Sequence, residues 1–364
     1  MLHRFGNQGT VELREAQMIG TGTDAALARV LDGGRRRAAA IDAHHALLWE
    51  ALCAATEGGK RFRPALVVAT HDALGGGASD AAAEVGAAVE LLHTAFVIHD
   101  DVIDGDHVRR GRPNVSGTFR ALAGVDGADP EVAAGYGLTA AILAGDLALA
   151  AAVRTVALSG APAPVVARLL DLFDTALHRT ASGELADVRH SLDLAPATLA
   201  QSLEMEAQKT SAYSFALPLQ AGAVLAGADE ETTSRLGDVG RAMGIAFQLA
   251  DDLIGVFGDP ARSGKSATCD LRTRKQTPLL VHARTTSAWP QISAYVGREL
   301  SDAELDEARG LLVASGSRRF VEDLAEQHLD QARAVLDGLG VPADLIDGVA
   351  VRPALPADGS EVAA

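Results

Sequence analysis

ELLHTAFVIHDDVID, residues 90–104, is the stretch whose reading decides the fold. Leu91, Leu92, Ala95, Phe96, Val97 and Ile98 run on without two-residue alternation and end in acids, the pattern of a buried helix whose last turn reaches a polar mouth. Asp100 and Asp104 are four apart and so stack one turn from each other, with Asp101 beside them. Two stacked carboxylates facing inward repel unless divalent cations sit between them. Magnesium takes one or two protein carboxylates and fills its other positions with water and substrate phosphates. A solvated acidic helix end is the plainer reading of one such pair, but the apolar approach argues against it, and the pattern recurs in AMGIAFQLADD, residues 242–252. Two such helices facing each other would hold metal ions at one end of an apolar channel.

Outward from these stretches the pattern stays helical. Breaks at Gly33-Gly34, Gly58-Gly59, Gly75–Gly77, 106–130, 159–164, 191–196, 227–229, 258–276 and Trp289-Pro290 divide the chain into roughly ten helices. Hydrophobic residues make up 48% and aromatics only 4%, so Ala, Leu and Val must fill the core, a mix that favours helices. The expectation is all-α: a single-domain bundle of long, mostly antiparallel helices around a central apolar channel, spanning residues 24–351. Residues 1–23 and 352–364 read as disordered extensions.

The 32 basic and 48 acidic residues give a net charge of -16, which argues against a nucleic-acid partner. Cys53 and Cys269 lack metal-ligand spacing and form no disulfide framework. The N-terminal stretch has no signal-peptide core, and no uninterrupted apolar run reaches the roughly 18 residues of a membrane span. A soluble cytoplasmic protein that is not transmembrane is expected.

Cations stand near the acids. Lys60 and Arg63 lie in GGKRFRP (58–64), and Arg109 and Arg110 in VRRGRP (108–113). Singly, such residues read as surface solubility; grouped beside Gly and Pro they look like a diphosphate clamp. Lys209, in AQKTSA (207–212), interrupts a long helical stretch, and Lys265 and Lys275 flank Asp270.

With these motifs in this order the chain resembles the trans-isoprenyl diphosphate synthases, from about residue 25 to 350. GGKRFRP, DDVID with RRGRP, AGD at 144–146, Lys209-Thr210 and FQLADDLIGVFGD (247–259) followed by GK carry the resemblance. It implies the isoprenoid synthase fold and three magnesium ions, two on Asp100 and Asp104 and one on Asp251, with Asp101, Asp252 and Asp270 supporting. It further implies isopentenyl diphosphate on Lys60, Arg63, His93 and Arg110, and the allylic diphosphate on Arg109, Lys209, Lys265 and Lys275. Thr210 and Gln248 would turn oxygens toward the developing cation. A homodimer is also implied.

Two positions depart from that pattern: Gly255 where a third acid often stands, and Cys269 where relatives often carry Asp. For product length, Phe96 lies four residues before Asp100 and Leu92 eight, on one helix face, with Ala95 one position round. In the family, bulky residues four and five positions before the first Asp stop the chain early. Ala95 opens one of these positions and Phe96 closes the other, so with about 5.4 Å per helix turn geranylgeranyl diphosphate is the expected product, farnesyl or longer products being the alternatives. Ala95 and Phe96 as ordinary core residues, with the stop on another helix, is the competing reading. A class I terpene cyclase would have no use for Lys60, Arg63 and Arg110. A non-catalytic regulatory subunit would be expected to lose Asp100, Asp104 or the arginine pair, whereas an irregular enzyme coupling two allylic units stays open.

Overall fold

The computed structural model describes residues 16–77, 79–192, 195–258 and 269–347. The described residues are all-α apart from one tiny hairpin, and they fall into two compact units. One unit holds most of the chain up to residue 175 together with 217–236, and the other holds 176–216 and the described residues from 237 onward.

In the first unit the elements are α1 (Ala16–Ala39), α2 (Ala43–Ala55), α3 (Phe62–Ala73), α4 (Asp80–Ile103), β1 (Val108–Arg109), β2 (Arg112–Pro113), α5 (Val115–Val125), α6 (Pro130–Ala157), the start of α7 (Ala163–Ser191), α9 (Leu217–Leu225) and the start of α10 (Glu230–Phe257). α4 is the central helix. Ser79 caps it by accepting a hydrogen bond from Ala82 N at 3.3 Å. It packs chiefly against α6, whose buried face is Gly137, Ala140, Ala141, Ala144, Gly145 and Ala148. That stripe of small residues lets the two backbones approach closely. α4 and α6 are both long and apolar enough to cross a membrane by length and composition alone; two thirds of α4's apolar window is buried inside the protein, against less than half of α6's.

One break expected from the sequence is not a break. Gly33 and Gly34 lie inside α1, because Gly34 is there for packing: a Cβ on it would stand 1.8 Å from Cζ2 of the Trp49 indole. α1 also starts at Ala16, ahead of the expected boundary at 24. Residues 1–15 and 348–364, and with them most of the two expected disordered extensions, lie outside the described residues.

In the second unit α8 (Leu199–Glu206) opens with a Thr198–Gln201 capping box and runs into a π-helical segment, Ala207–Ala216. The wider π turns need small neighbours, and glycines supply them. A Cβ on Gly183 would lie 2.2 Å from Lys209 N, one on Gly240 2.4 Å from Ala216 N, and one on Gly244 2.3 Å from Ser211 Oγ. Helices Asp302–Ala314 and Ser317–Leu339 close this core over Leu249, Leu253, Leu279 and Leu280.

Candidate active site

In the first unit, the expected acids sit at the C-terminal end of α4. Asp100 is half-buried, Asp101 is 4% exposed, and Asp104 is the exposed C-cap, its N–H bonded to Asp100 O. β1 and β2 turn back through Arg110 and Gly111, both at positive φ (53° and 72°), the geometry of a tight two-residue hairpin. The turn brings Arg109 onto the acids: its Nε donates to Asp101 Oδ1 at 2.6 Å and its Nη2 to Asp100 Oδ2 at 3.3 Å. Burial pushes the Asp101 carboxyl up, against the pull of Arg109. The structure thus gives Asp101 an arginine partner where the resemblance implied metal support, and Arg109 two carboxylate partners before any diphosphate.

Immediately before Asp100, His99 faces the AGD segment. A Cβ on Gly145 would sit 2.2 Å from its Nε2, and Asp146 Oδ1 lies 3.5 Å away. Farther back on α4, His93 is mostly buried, and burial together with Arg63, Arg110, Arg109 and Arg61 holds its pKa well below the ordinary value. So Arg63, His93, Arg109 and Arg110 do converge. Lys60 is exposed in the neighbouring loop, and Arg110 donates to Glu57 O at 2.5 Å. His93, Phe96, Val97 and Asp100 form the accessible face of α4, whereas Leu92 and Ala95 are fully buried. Val97 was not singled out by the sequence pattern.

In the second unit, Lys209 and Thr210 lie on the π-helical segment. Lys209 Nζ is held by Glu184 (3.0 Å) and Asp187 (2.7 Å) of α7, acids one turn apart that the logic applied to Asp100 and Asp104 would also have flagged. Thr210 Oγ1 donates to Gln248 Oε1 at 3.1 Å, and Gln248 Nε2 donates to Asp252 Oδ1 at 3.0 Å. Asp252 is buried and Asp251, next to it, is half-exposed. Behind them Glu206 is buried, and burial and Asp252 push its carboxyl well above the usual range. Lys275 is half-buried; Lys265 and the side chain of Asp270 lie outside the described residues, as does that of Cys269.

Among the described residues no three His, Cys, Asp or Glu side chains converge as a ready-made metal cage. Hard carboxylate oxygens on two stacked side chains, one exposed and one half-buried, nevertheless fit magnesium, which takes few protein ligands and leaves the rest to phosphate and water. Cys53, buried with its thiol pushed up to about 11, takes no part.

Comparison with known proteins identifies the family and its fold. The family model described as polyprenyl synthetase matches residues 45–310. A geranylgeranyl diphosphate synthase of Mycobacterium tuberculosis is 34% identical over 88% of this chain and 87% of its own length. A geranylfarnesyl diphosphate synthase of Aeropyrum pernix is 34% identical over 77% of this chain and 83% of its own. A geranylgeranyl pyrophosphate synthase of Corynebacterium glutamicum, solved with isoprenyl diphosphate and magnesium, superposes with a TM-score of 0.83 at 29% identity, covering 93% of this chain and 97% of that one.

Proposed function

The chain belongs to the polyprenyl synthetase family and is a trans-prenyl diphosphate synthase, and from that premise we propose that it condenses isopentenyl diphosphate with an allylic diphosphate to give geranylgeranyl diphosphate. The observation that carries the reading is the accessible face of α4, where Phe96 stands one turn before Asp100 and narrows the space leading away from the acids. Two of the relatives above are geranylgeranyl synthases by name, which supports the same length.

In the first unit Asp100 and Asp104 would hold two magnesium ions, and in the second unit Asp251 would hold one. Held by these carboxylates, magnesium would supply positive charge for a departing diphosphate, the condition for ionising an allylic carbon–oxygen bond. Arg109 in the first unit, and Lys209 and Lys275 in the second, each offer a cation to allylic diphosphate oxygens, Lys209 by exchanging its carboxylate partners for them. Thr210 and Gln248 form a hydrogen-bonded pair whose oxygens are available to the developing allylic cation, and Asp252 fixes the Gln248 amide by accepting from its Nε2. Lys60, Arg63, His93 and Arg110 hold isopentenyl diphosphate, with His93 neutral and so able to both donate and accept. A cyclase has no second diphosphate to bind, so the arginines around His93 argue against that reading.

We further place the protein in the cytoplasm as a homodimer. Val132, Tyr136, Leu138, Ile142 and Leu143 stand exposed on α6, an apolar patch of the kind that marks an interface. Light scattering should give twice the chain's 37.5 kDa. The function is tested by incubating the protein with magnesium, isopentenyl diphosphate and dimethylallyl, geranyl or farnesyl diphosphate in turn. Products should stop at twenty carbons; no elongation from any primer would sink the reading.

A further inference from the structure

Resting on that synthase reading, we infer that Arg61 and Glu90 form a positioning pair for the isopentenyl diphosphate pocket, and that Arg61 is not itself a ligand of the diphosphate. In sequence Arg61 stands between Lys60 and Arg63 with an equal claim to the anion. The structure separates it from them.

Arg61 is the N-cap of α3 and adopts a left-handed backbone, φ 53° and ψ 27°, which L side chains rarely take and which persists only where the surroundings impose it. Its guanidinium bonds Glu90 Oε1 and lies 3.5 Å from Asp24 Oδ1. Glu90 is 4% exposed on α4, directly under the loop; a Cβ on Gly59 would stand 3.5 Å from the same carboxylate oxygen. From the other side Arg110 holds Glu57 O and lies 3.2 Å from where a Cβ on Gly58 would be. The loop that carries Lys60 and leads into Arg63 is therefore fastened at both ends.

A carboxylate buried beside an anion pocket weakens the pocket's positive potential unless a cation takes up its charge. Arg61 is that cation. Engaged with Glu90, it fixes the turn, while Lys60, Arg63, His93 and Arg110 are left to face the substrate.

The test is isopentenyl diphosphate binding by calorimetry, without an allylic primer, alongside steady-state kinetics for wild type, Glu90→Gln, Arg61→Gln and the double variant. Glu90→Gln should weaken isopentenyl diphosphate binding and raise its KM about tenfold, with kcat and the allylic KM within about twofold. The double variant should be no worse than either single one, and Glu90→Asp should recover part of the loss. Unchanged or tighter binding by Glu90→Gln would overturn the inference, because it would make Arg61 a ligand restrained by its acid. Should Glu90→Gln fail to fold, Arg61→Lys, which keeps the charge but not the fork, serves instead: weakened binding supports the pair and wild-type binding overturns it. A wild type that binds isopentenyl diphosphate yet condenses nothing would sink the synthase reading alone, and calorimetry would still decide the pair.

Discussion

Arg109 reaches back across its hairpin to Asp101, Nε to Oδ1 at 2.6 Å, and with the same guanidinium touches Asp100 at 3.3 Å. One planar fork thus holds the buried acid and the half-buried one in fixed relation. Lysine cannot span both. Arg109→Lys should cost about 2 kcal/mol in denaturant unfolding, because it leaves Asp101 poorly paired in the protein. It should also lower kcat/KM by about a hundredfold through misplaced Asp100. Retention of both stability and activity would show that the fork does not organise the acids.

Gly145 lies against the His99 imidazole, where a Cβ would come within 2.2 Å of Nε2. Gly145→Ala must push that ring out of its place beside Asp100, at a cost of about 1 kcal/mol. Removing the ring as well, in Gly145→Ala/His99→Ala, should recover most of the thermal stability. A double variant as unstable as the sum of its parts would mean the glycine serves some other contact.

The contrast between these two sites shows what the sequence pattern carries. The α4 run, its acidic end and the all-α class are properties of periodicity, and periodicity is written in the chain. Partners are not. Nothing in the spacing of GGKRFRP says that Arg61 turns to Glu90, twenty-nine residues on, or that Lys209 meets Glu184 and Asp187. The π-helical segment depends on glycines 183, 240 and 244 of other helices, so it is a tertiary fact. Gly34 follows the same rule, since a glycine beneath Trp49 and a glycine ending a helix look alike in sequence and differ only in packing.

Phe96 and Leu92 separate product control from core packing. Leu92 is fully buried, so Leu92→Ala should lose about 2–5 kcal/mol. Phe96 lies on the accessible face of α4 four residues before Asp100, so Phe96→Ala should cost less stability and shift the product distribution beyond twenty carbons, read by chromatography of the dephosphorylated products. An unchanged distribution would place the floor of the channel on another helix.

His93 makes the fold sensitive to acid. Burial and the four arginines around it keep its folded pKa well below the ordinary value, whereas in the unfolded chain it titrates near about 6.5. Below that pH the unfolded chain takes up a proton that the native pocket refuses. The stability His93 contributes is therefore present above about pH 6.5 and is lost as pH falls toward its folded pKa, at up to about 1.4 kcal/mol per pH unit. Urea unfolding between pH 7 and 5 should show this slope, and His93→Gln should remove it. Inorganic pyrophosphate bound among the arginines should also flatten it, because the anion offsets their charge and lets the imidazole protonate in the native state. If the slope survives in His93→Gln, some other group governs the acid limb, and the arginine cluster is less tightly gathered around this histidine than the structure places it.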